Sequence, residues 1–322
     1  MTLIAWVKSF FSWLWNNRLR LLLSMISAVI FAVLIFPFND LSDLLSSQIS
    51  AATRNSVYVQ FERLSLSFFP QLGAQAEQVH IESLFFPGIK VEEVTVTPSL
   101  GAALSQKPYG HVTAKGLFRG DVDARMGSGG QSERGTELQK LEITAQRLSL
   151  QDLRQLANLP ALIKGRLDLE TAGLIDMTLA EQPDLALNIK IQQFEMPSTN
   201  LALGHMGELT LPEIKLSSLE LKGRLSAGRL LIENIRVGGQ PADDLQGTIK
   251  GTLGLNLRNA GGTPVPEFGA YSFDVDLQPS ANFRERAKFF LEFLTAYQQN
   301  GRIRMKLSGT HFGPAPSMAP LR

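Results

Sequence analysis

The 322-residue chain contains no cysteine. Disulfide bonds, thiol nucleophiles and thiolate metal sites are therefore excluded. A chain without thiols also suits an oxidising compartment, where a free thiol would be a liability.

An excess of charge of either sign is also lacking, since 31 Lys and Arg residues balance 30 Asp and Glu residues. No global electrostatic field would attract nucleic acid or acidic substrates, so no nucleic-acid role is expected. The apolar content of 44% and the charged content of 19% are those of an ordinary globular protein. The chain is therefore long and apolar enough to build a sizeable core.

Motifs with catalytic spacing are missing as well. The sequence has no GxSxG elbow, HExxH helix or GxxxxGK phosphate loop, and its four histidines are widely scattered. Asp121 with Asp123, and Asp274 with Asp276, each place two carboxylates on one face of a strand, which could serve calcium or acid–base chemistry. The competing interpretation is a solvated polar face. The sequence therefore predicts a protein that is not an enzyme and has no cofactor and no metal site.

What the sequence does contain is one long uncharged run, from Leu21 to Phe38. A helix of this length spans about 27 Å, close to the hydrocarbon thickness of a bilayer. Basic residues precede the run and Asp40 and Asp43 follow it, so the charge bias keeps the N-terminus in the cytoplasm. We therefore expect a single-pass inner-membrane anchor at residues 21–38, with the bulk of the chain in the periplasm.

Two other interpretations of this run stay open. A cleavable signal peptide would have a shorter apolar region with small residues at its end, whereas this run closes with Phe-Pro-Phe. A buried soluble helix usually has a polar face, and the polar residues of this run are Ser24 and Ser27 alone. Residues 1–20 mix aromatic, basic and amide side chains, which predicts either a cytoplasmic interfacial helix or simple flanking anchors.

Beyond the run, the apolar periodicity changes to two, which is typical of β-strands. Apolar residues recur at offsets zero, two, five and seven, and the step of three would reverse the face of a flat strand. Each copy therefore predicts a β-bulge or tight bend that returns both pairs to one face of the sheet. The copies begin at Val59, Val79, Ile89, Ile143, Ile189, Ile214 and Leu230.

The repeated pattern supports two architectures. One is a half-buried antiparallel sheet packed on helices or on a second sheet, and the other is a curved sheet whose apolar face forms an open groove. Short helices are expected near residues 41–49 and after Ser149, and a longer helix is expected from Ser280 to Gly301. The predicted fold class is mainly β with a few helices, in which a transmembrane helix is followed by a curved, mostly antiparallel sheet forming a groove or half-barrel.

The predicted β-rich domain covers residues 39–312. Residues 127–136 and 261–269 have little apolar content and are predicted to be loops that interrupt it, the first dividing the strands into two groups. The final residues, 313–322, are expected to be disordered.

Several segments after the predicted span follow one another in a characteristic order. They are VYVQFERLSLSFFP with Phe69 and Pro70, VHIES, VEEVTVTP, LSQKP (104–108), LIKGRLDLE (162–170), LPEIKLSSLELKGRLSAGRLLIENI (211–235), DDLQGTIKGTLGLN (243–256) and LSGTHFGPAP (307–316). In this order they resemble the GspN proteins of type II secretion operons, which look related to the AsmA-like envelope proteins.

The resemblance implies an AsmA-like β-groove able to hold acyl chains, with no cofactor and no catalytic residue. It implies an accessory component of the type II secretion system, anchored in the inner membrane, that acts as an assembly or envelope-bridging module. The alternative is a lipid-binding or lipid-transfer protein between the two membranes, and a periplasmic hydrolase is a third, unsupported reading. Because the chain is far shorter than the large bridge-like members, oligomers or partners would have to complete any path.

Nine apolar residues are expected to line the groove. The expected partners are the inner membrane, phospholipid and other secretion-system or envelope proteins. The nine residues are Phe61, Leu64, Leu66, Val94, Val96, Leu219, Leu221, Ile232 and Ile235.

Overall fold

The computed structural model describes residues 42–53, 55–67, 73–83, 87–99, 109–156, 162–202, 208–260, 263–311 and 316–321, and eight positions between 19 and 31. The chain divides into two compact units, Met1–Leu41 and Ser42–Arg322. The described positions of the first unit are helical and exposed, Leu23 among them.

The described residues contain no helix with the length and apolar character needed to cross a membrane. Both ends of the predicted anchor, Leu21 and Phe38, and most of the residues between them lie outside the described residues, as do residues 1–18. The anchor and the segment before it therefore stay predictions.

The second unit is mainly β, as predicted, and sixteen of its eighteen described strands form one large, curved, open antiparallel sheet. Its order is β1-β3-β4-β5-β6-β7-β8-β9-β12-β13-β14-β15-β17-β16, with β2 beside β3, β18 beside β17, and β10 with β11 as a separate pair. The strands are β1 (Val57–Gln60), β2 (Arg63–Ser67), β3 (Gly73–Ser83), β4 (Ile89–Pro98), β5 (Gly110–Leu117), β6 (Gly120–Gln131), β7 (Glu137–Ser149), β8 (Lys164–Ile175), β9 (Asp184–Met196), β10 (Thr199–Ala202), β11 (Glu208–Leu211), β12 (Ile214–Ser226), β13 (Arg229–Val237), β14 (Leu245–Ala260), β15 (Thr263–Pro279), β16 (Gln298–Gln299), β17 (Arg302–Gly309) and β18 (Ser317–Pro320).

The helices gather at one end of this sheet. Helix α1 precedes β1, α2 follows β7, and α3 and α4 follow β15, and the antiparallel order brings these three strand ends to the same side. We call this side the helix end. The helices are α1 (Ser42–Ala52), α2 (Leu150–Leu156), α3 (Ala281–Arg286) and α4 (Lys288–Glu292), followed by a 3₁₀ helix (Thr295–Tyr297).

Alternation of apolar and polar residues gives the sheet two unlike faces. In β9, Leu187, Ile189 and Ile191 are half-buried, whereas Asn188 and Lys190 between them are exposed. Successive side chains of a strand point to opposite faces, so the period of two in the sequence sorts apolar residues onto one face and polar residues onto the other.

Bulges occur at the predicted steps of three in β7 and β13. The register of β7 against β8 shifts between Ala145 and Leu148, and both residues are buried on the same face. The register of β13 shifts against both of its neighbours, between Ile232 and Ile235 against β14. These bends are confirmed, and they keep the apolar residues of each strand on one side.

Two further bends are marked by residues with positive φ, Gln78 at 51° and Gln193 at 52°. The register of β3 against β4 and of β9 against β12 is the same on both sides of these residues. Against β8, in contrast, the register of β9 shifts by one residue between Gln192 and Glu195. In the copy that begins at Val79, the last two positions lie outside the described residues.

The two predicted breaks are wrong for most of their length. Residues 127–131 belong to β6 and pair with β7, so the loop is reduced to 132–136 and does not divide the sheet. Residues 263–269 belong to β15, where Pro264 and Pro266 face β14. Pairing of β15 with β17 covers Tyr271–Leu277, so in the described sheet the proline-containing segment has β14 alone as its neighbour. Proline is tolerated at such an edge because the missing N–H faces away from the ladder.

The C-terminal predictions also need correction. Ser280 caps α3, as expected, by accepting a hydrogen bond from the Phe283 N–H at 3.2 Å. The single long helix is instead divided at Ala287, and Gly301 lies in the turn before β17. Residues 317–320 of the expected disordered tail form β18, because the edge of β17 offers them backbone hydrogen-bonding partners.

Candidate functional site: an apolar sheet face

The apolar face of the sheet is organised in rows of directly paired residues. The first of these, row 1, has one residue on each of thirteen strands from β2 to β17, and every member is Ala, Val, Leu, Ile or Met. Row 1 consists of Leu64, Ala76, Val94, Ala114, Val122, Ala145, Leu169, Ile189, Leu221, Ile235, Ile249, Val275 and Met305.

A parallel row lies two residues away on the same strands, farther from the helix end. It is apolar except for Thr171, Gly223 and Gly251. Row 2 consists of Leu66, Ala74, Val96, Val112, Ala124, Ile143, Thr171, Leu187, Gly223, Ile232, Gly251, Phe273 and Leu307.

A shorter row runs on the other side of row 1, next to the helix end. Several of its members, such as Leu148, Val237 and Ile303, are buried. Row 3 consists of Leu148, Leu167, Ile191, Leu219, Val237, Gly247, Leu277 and Ile303.

The dimensions of the face follow from strand geometry. Neighbouring strands lie about 4.8 Å apart, so rows 1 and 2 each extend about 58 Å along the curved sheet. Residues two apart on a strand are separated by about 7 Å, so rows 1 and 2 together form a long, narrow apolar strip.

Burial along this strip changes from the N-terminal to the C-terminal strands. Val96 on β4 and Val112 on β5 are directly paired and are 41% and 38% exposed. In the middle, Ile189 and Leu221 are half-buried, whereas Val275 on β15 is buried. Half-buried apolar side chains in central strands are expected where no second layer covers a sheet face. The strip is therefore most open over its N-terminal strands.

The helix end of the face is closed by a small core. Phe283, Ala287 and Leu291 pack with Ile303 of row 3, and Phe283 is 1% exposed. The spacing of four between the three helical residues puts them on one side of α3 and α4. This side covers the sheet, and partly buried residues of β12, β14 and β17 pack around it.

A buried carboxylate organises the link between β13 and β14. Asp243 accepts hydrogen bonds from the Ser217 N–H and hydroxyl, both at 2.7 Å, and from the N–H groups of Gly239 at 2.6 Å and Gln240 at 2.9 Å. Burial pushes the pKa of Asp243 upward, but these hydrogen bonds outweigh burial and hold its pKa below the usual value. Asp243 therefore fixes the link to the bend of β12 as an ionised group.

The next residue ties α3 to the same place. Asp244 accepts a hydrogen bond from the Lys215 N–H at 2.7 Å and forms an ion pair with the Arg286 guanidinium. Arg286 also pairs with Glu213 at 3.1 Å. The helical cover is thus attached to the sheet by a polar network as well as by its apolar side.

At the end of the sheet opposite the helix end, hydrogen bonds order the link between β8 and β9 and connect it to β14. Asp176, which is 2% exposed, accepts hydrogen bonds from Thr178 and from the Glu181 N–H in the link between β8 and β9. The Gln182 amide exchanges two hydrogen bonds with the backbone of Leu257 on β14, at 2.8 and 3.0 Å. This link therefore connects the start of β9 to β14 across the β12–β13 turn.

The opposite face of the sheet is polar and ion-paired. Arg224 makes two hydrogen bonds to Asp184, at 2.7 and 2.6 Å, which raise the pKa of the guanidinium and lower that of the carboxyl. Asp121 pairs with Arg147, at 2.6 Å. The structure therefore places a carboxylate considered for calcium or acid–base chemistry in a solvated ion pair, and the described residues contain no cluster of His, Asp and Glu able to hold a metal.

Eight of the nine predicted groove residues belong to the three rows. Leu64, Val94, Leu221 and Ile235 lie in row 1, Leu66, Val96 and Ile232 in row 2, and Leu219 in row 3.

Two predicted residues differ from expectation. Phe61 lies in the link between β1 and β2 and pairs with no row. Ile232 is buried rather than open, and its paired neighbours are Gly223 and Gly251. Leu169 and Ile189, central members of row 1, were not among the predicted groove residues, although Ile189 begins one copy of the apolar pattern.

Comparisons with known proteins add no family assignment. No protein-family model matches the chain, and neither a curated protein nor a solved structure matches it. The resemblance to the GspN and AsmA-like proteins therefore stays a prediction based on the residues quoted above.

Proposed function

We propose that the protein is a non-enzymatic module, anchored in the inner membrane by residues 21–38 with its bulk in the periplasm, that holds lipid acyl chains on the apolar face of its sheet. The observation that carries this proposal is the continuity of rows 1 and 2 over thirteen strands, with exposed or half-buried members at Val96, Val112 and Ile189. Monomeric soluble proteins seldom leave such long apolar strips uncovered unless they bind something.

The shape of the strip favours a linear apolar ligand. It is about 58 Å long and only a few residues wide, and its members have no polar side chain other than Thr171. An acyl chain needs no hydrogen-bonding partner, so an apolar floor can accept it in many positions. In this proposal the sheet forms an AsmA-like groove, bounded by the helical cover at one end and by the loops at the other.

The expected affinity per chain is moderate. Each methylene group transferred from water gains about 0.8 kcal/mol, so a chain of roughly 16 carbons with half of its surface covered would gain about 6 kcal/mol. A gain of about 6 kcal/mol corresponds to a dissociation constant of about 40 μM, and the costs of ordering make binding of a single chain weaker than that. Exchangeable binding of this strength suits lipid transfer better than permanent storage.

Lipid extraction tests this proposal. Protein purified gently from membranes should yield phospholipid by mass spectrometry, in excess of the amount retained by a variant whose strip carries charge. Lipid bound around the membrane anchor is common to both proteins, so the difference reports the sheet. Repeated purification without such an excess would contradict the proposal.

A second candidate function is an accessory component of the type II secretion system. The strand motifs that resemble GspN proteins support it, together with the polar face, where ion pairs such as Arg224 with Asp184 form a regular charged surface suited to assembly. Deletion of the protein should then impair secretion of that system's substrates. If secretion is unchanged while the lipid composition of the outer membrane is disturbed, this candidate fails and the lipid-binding proposal gains support.

A further inference from the structure

A cavity of about 670 Å³ lies on the polar face of the sheet, at the helix end. Asp121 and Arg147 in its lining belong to the polar face. Arg166, also in the lining, precedes Leu167 of row 3, and successive side chains of a strand point to opposite faces. Glu92 and Asp121 are the acidic residues of the lining, and they are outnumbered by basic ones. The basic residues are Arg119, Arg147, Lys164 and Arg166.

The backbone around this cavity is irregular in three strands. Register shifts occur at Gly116 in β5, around Arg147 in β7 and at Gly165 in β8. Arg119, in the turn between β5 and β6, and Arg147 have φ values of 63° and 59°, which few residues other than glycine adopt. Bulges redirect side chains, and both bulges and strained backbone are concentrated at functional sites. These distortions therefore favour a binding site over a chance cluster of surface charges.

The four cations differ in whether the protein pairs them. Arg119 forms an ion pair with a carboxylate of α2 at 3.2 Å, and Arg147 forms one with Asp121 at 2.6 Å. Lys164 and Arg166 are exposed, and neither has a carboxylate within ion-pair distance among the residues that the structure describes. Part of the positive charge at the cavity is therefore available to a ligand.

We propose that this cavity binds a phosphate group, with Lys164 and Arg166 as its main ligands. Phosphate accepts several charge-assisted hydrogen bonds, for which arginine and lysine are the usual donors. Arg119 and Arg147 add further donors, since a guanidinium has five N–H groups and each ion pair uses only part of them. The volume of the cavity is typical of small-molecule sites and leaves room for the group to which the phosphate is attached. Because the cavity and the apolar strip lie on opposite faces, this inference does not rest on acyl-chain binding.

Isothermal titration calorimetry of the full chain in a neutral detergent tests the proposal with two soluble probes. Inorganic phosphate represents a free phosphate compound, and glycerophosphoglycerol is the deacylated headgroup of phosphatidylglycerol. Lys164→Gln with Arg166→Gln should weaken binding of the preferred probe about ten-fold or more. The matched control is Arg236→Gln with Lys250→Gln, which removes an arginine and a lysine that are also exposed but lie on β13 and β14. The control should bind as the unchanged protein does.

A third variant should change the affinity in the opposite direction. Glu92 lines the cavity and lies against Gly116, where an added Cβ would overlap it. Glu92→Gln removes the repulsion between this carboxylate and a bound phosphate, so it should strengthen binding about three-fold. Damage to the fold would not produce such a gain, and weaker binding in this variant would contradict the proposal.

The two probes also distinguish the sources of the phosphate group. Preference for glycerophosphoglycerol would indicate a phospholipid headgroup, and preference for inorganic phosphate would indicate a soluble phosphate compound, and either result supports the site. Failure of the unchanged protein to bind either probe at millimolar concentrations would overturn it. Equal weakening in the cavity variant and the control would also overturn it, because binding would then reflect general attraction between charges. Lipid retained by the apolar strip is measured separately, by extraction, and does not depend on these outcomes.

Discussion

Replacing Val96 and Val112 together by aspartate should reduce the retained phospholipid by about ten-fold or more. The two residues are paired directly in row 2 at the most exposed part of the strip. A bound acyl chain would have to desolvate the new carboxylates, and each factor of ten in binding corresponds to only about 1.4 kcal/mol. Because both positions are exposed, the free energy of unfolding should fall by no more than about 1–2 kcal/mol. Lipid extraction with mass spectrometry, together with denaturant titration, measures both quantities.

The same strands offer a matched control on the polar face. Thr95 and Thr113 are also directly paired, so Thr95→Asp with Thr113→Asp introduces two facing carboxylates, to which Asp123, paired with Thr113, adds further repulsion. Lipid retention in this variant should equal that of the unchanged protein. Equal loss in both double variants would contradict the proposed strip, as would a Val96→Asp, Val112→Asp protein that simply fails to fold.

Replacing Asp243 by asparagine should lower the free energy of unfolding at pH 7 by about 3 kcal/mol. This buried carboxylate accepts four hydrogen bonds. Two come from the N–H and the hydroxyl of Ser217, and two come from the N–H groups of Gly239 and Gln240 in the link between β13 and β14. An amide at this position would direct N–H donors toward other donors. Denaturant titration followed by circular dichroism gives the change, and Asp274→Asn, at an exposed position, should change stability by less than about 0.5 kcal/mol.

The dependence on pH provides a second readout. The pKa of Asp243 is lowered in the native state, so its ionised form contributes stability at pH values above its unfolded pKa of about 3.9. That contribution is lost as the pH falls through the lower native value. The free energy of unfolding of the unchanged protein should therefore exceed that of Asp243→Asn by the largest amount at pH 5 to 7, and this difference should shrink below about pH 4. A difference that grows toward acid would contradict the role assigned to Asp243.

The bends of the sheet were predictable because local pattern determines them. Ala145 and Leu148 are three residues apart and both apolar, and they reach one face only if the strand bulges between them. The same logic holds for Ile232 and Ile235. Short helices after Ser149 and Ser280 were likewise marked by capping residues and apolar spacing.

The ends of the hairpins could not be predicted from composition alone. Residues 127–131 and 263–269 carry glycine or proline, which favour loops in isolation, but a neighbouring strand supplies the partners that make them β. The last helix is divided at Ala287, which is buried in a core with Ile303, and contacts with a residue so distant in sequence cannot be read from local pattern.

Most residues of the candidate site could be identified from the sequence, but their arrangement in rows across the sheet could not. The pattern identified Leu64, Val94 and Leu221 as sharing a face with their own strand neighbours. Their membership of one row depends on the register of thirteen strands, which a single sequence does not reveal. The burial of Ile232 between two paired glycines depends on the same register and could not be predicted either.

Photo-crosslinking with a phospholipid that carries a diazirine in its acyl chain tests the central claim most directly. After illumination of intact membranes, mass spectrometry of the digested protein locates the attached lipid. The account predicts adducts on residues of rows 1 and 2, concentrated on β4 and β5 around Val96 and Val112. Adducts confined to residues 1–41, or spread equally over the polar face, would contradict it.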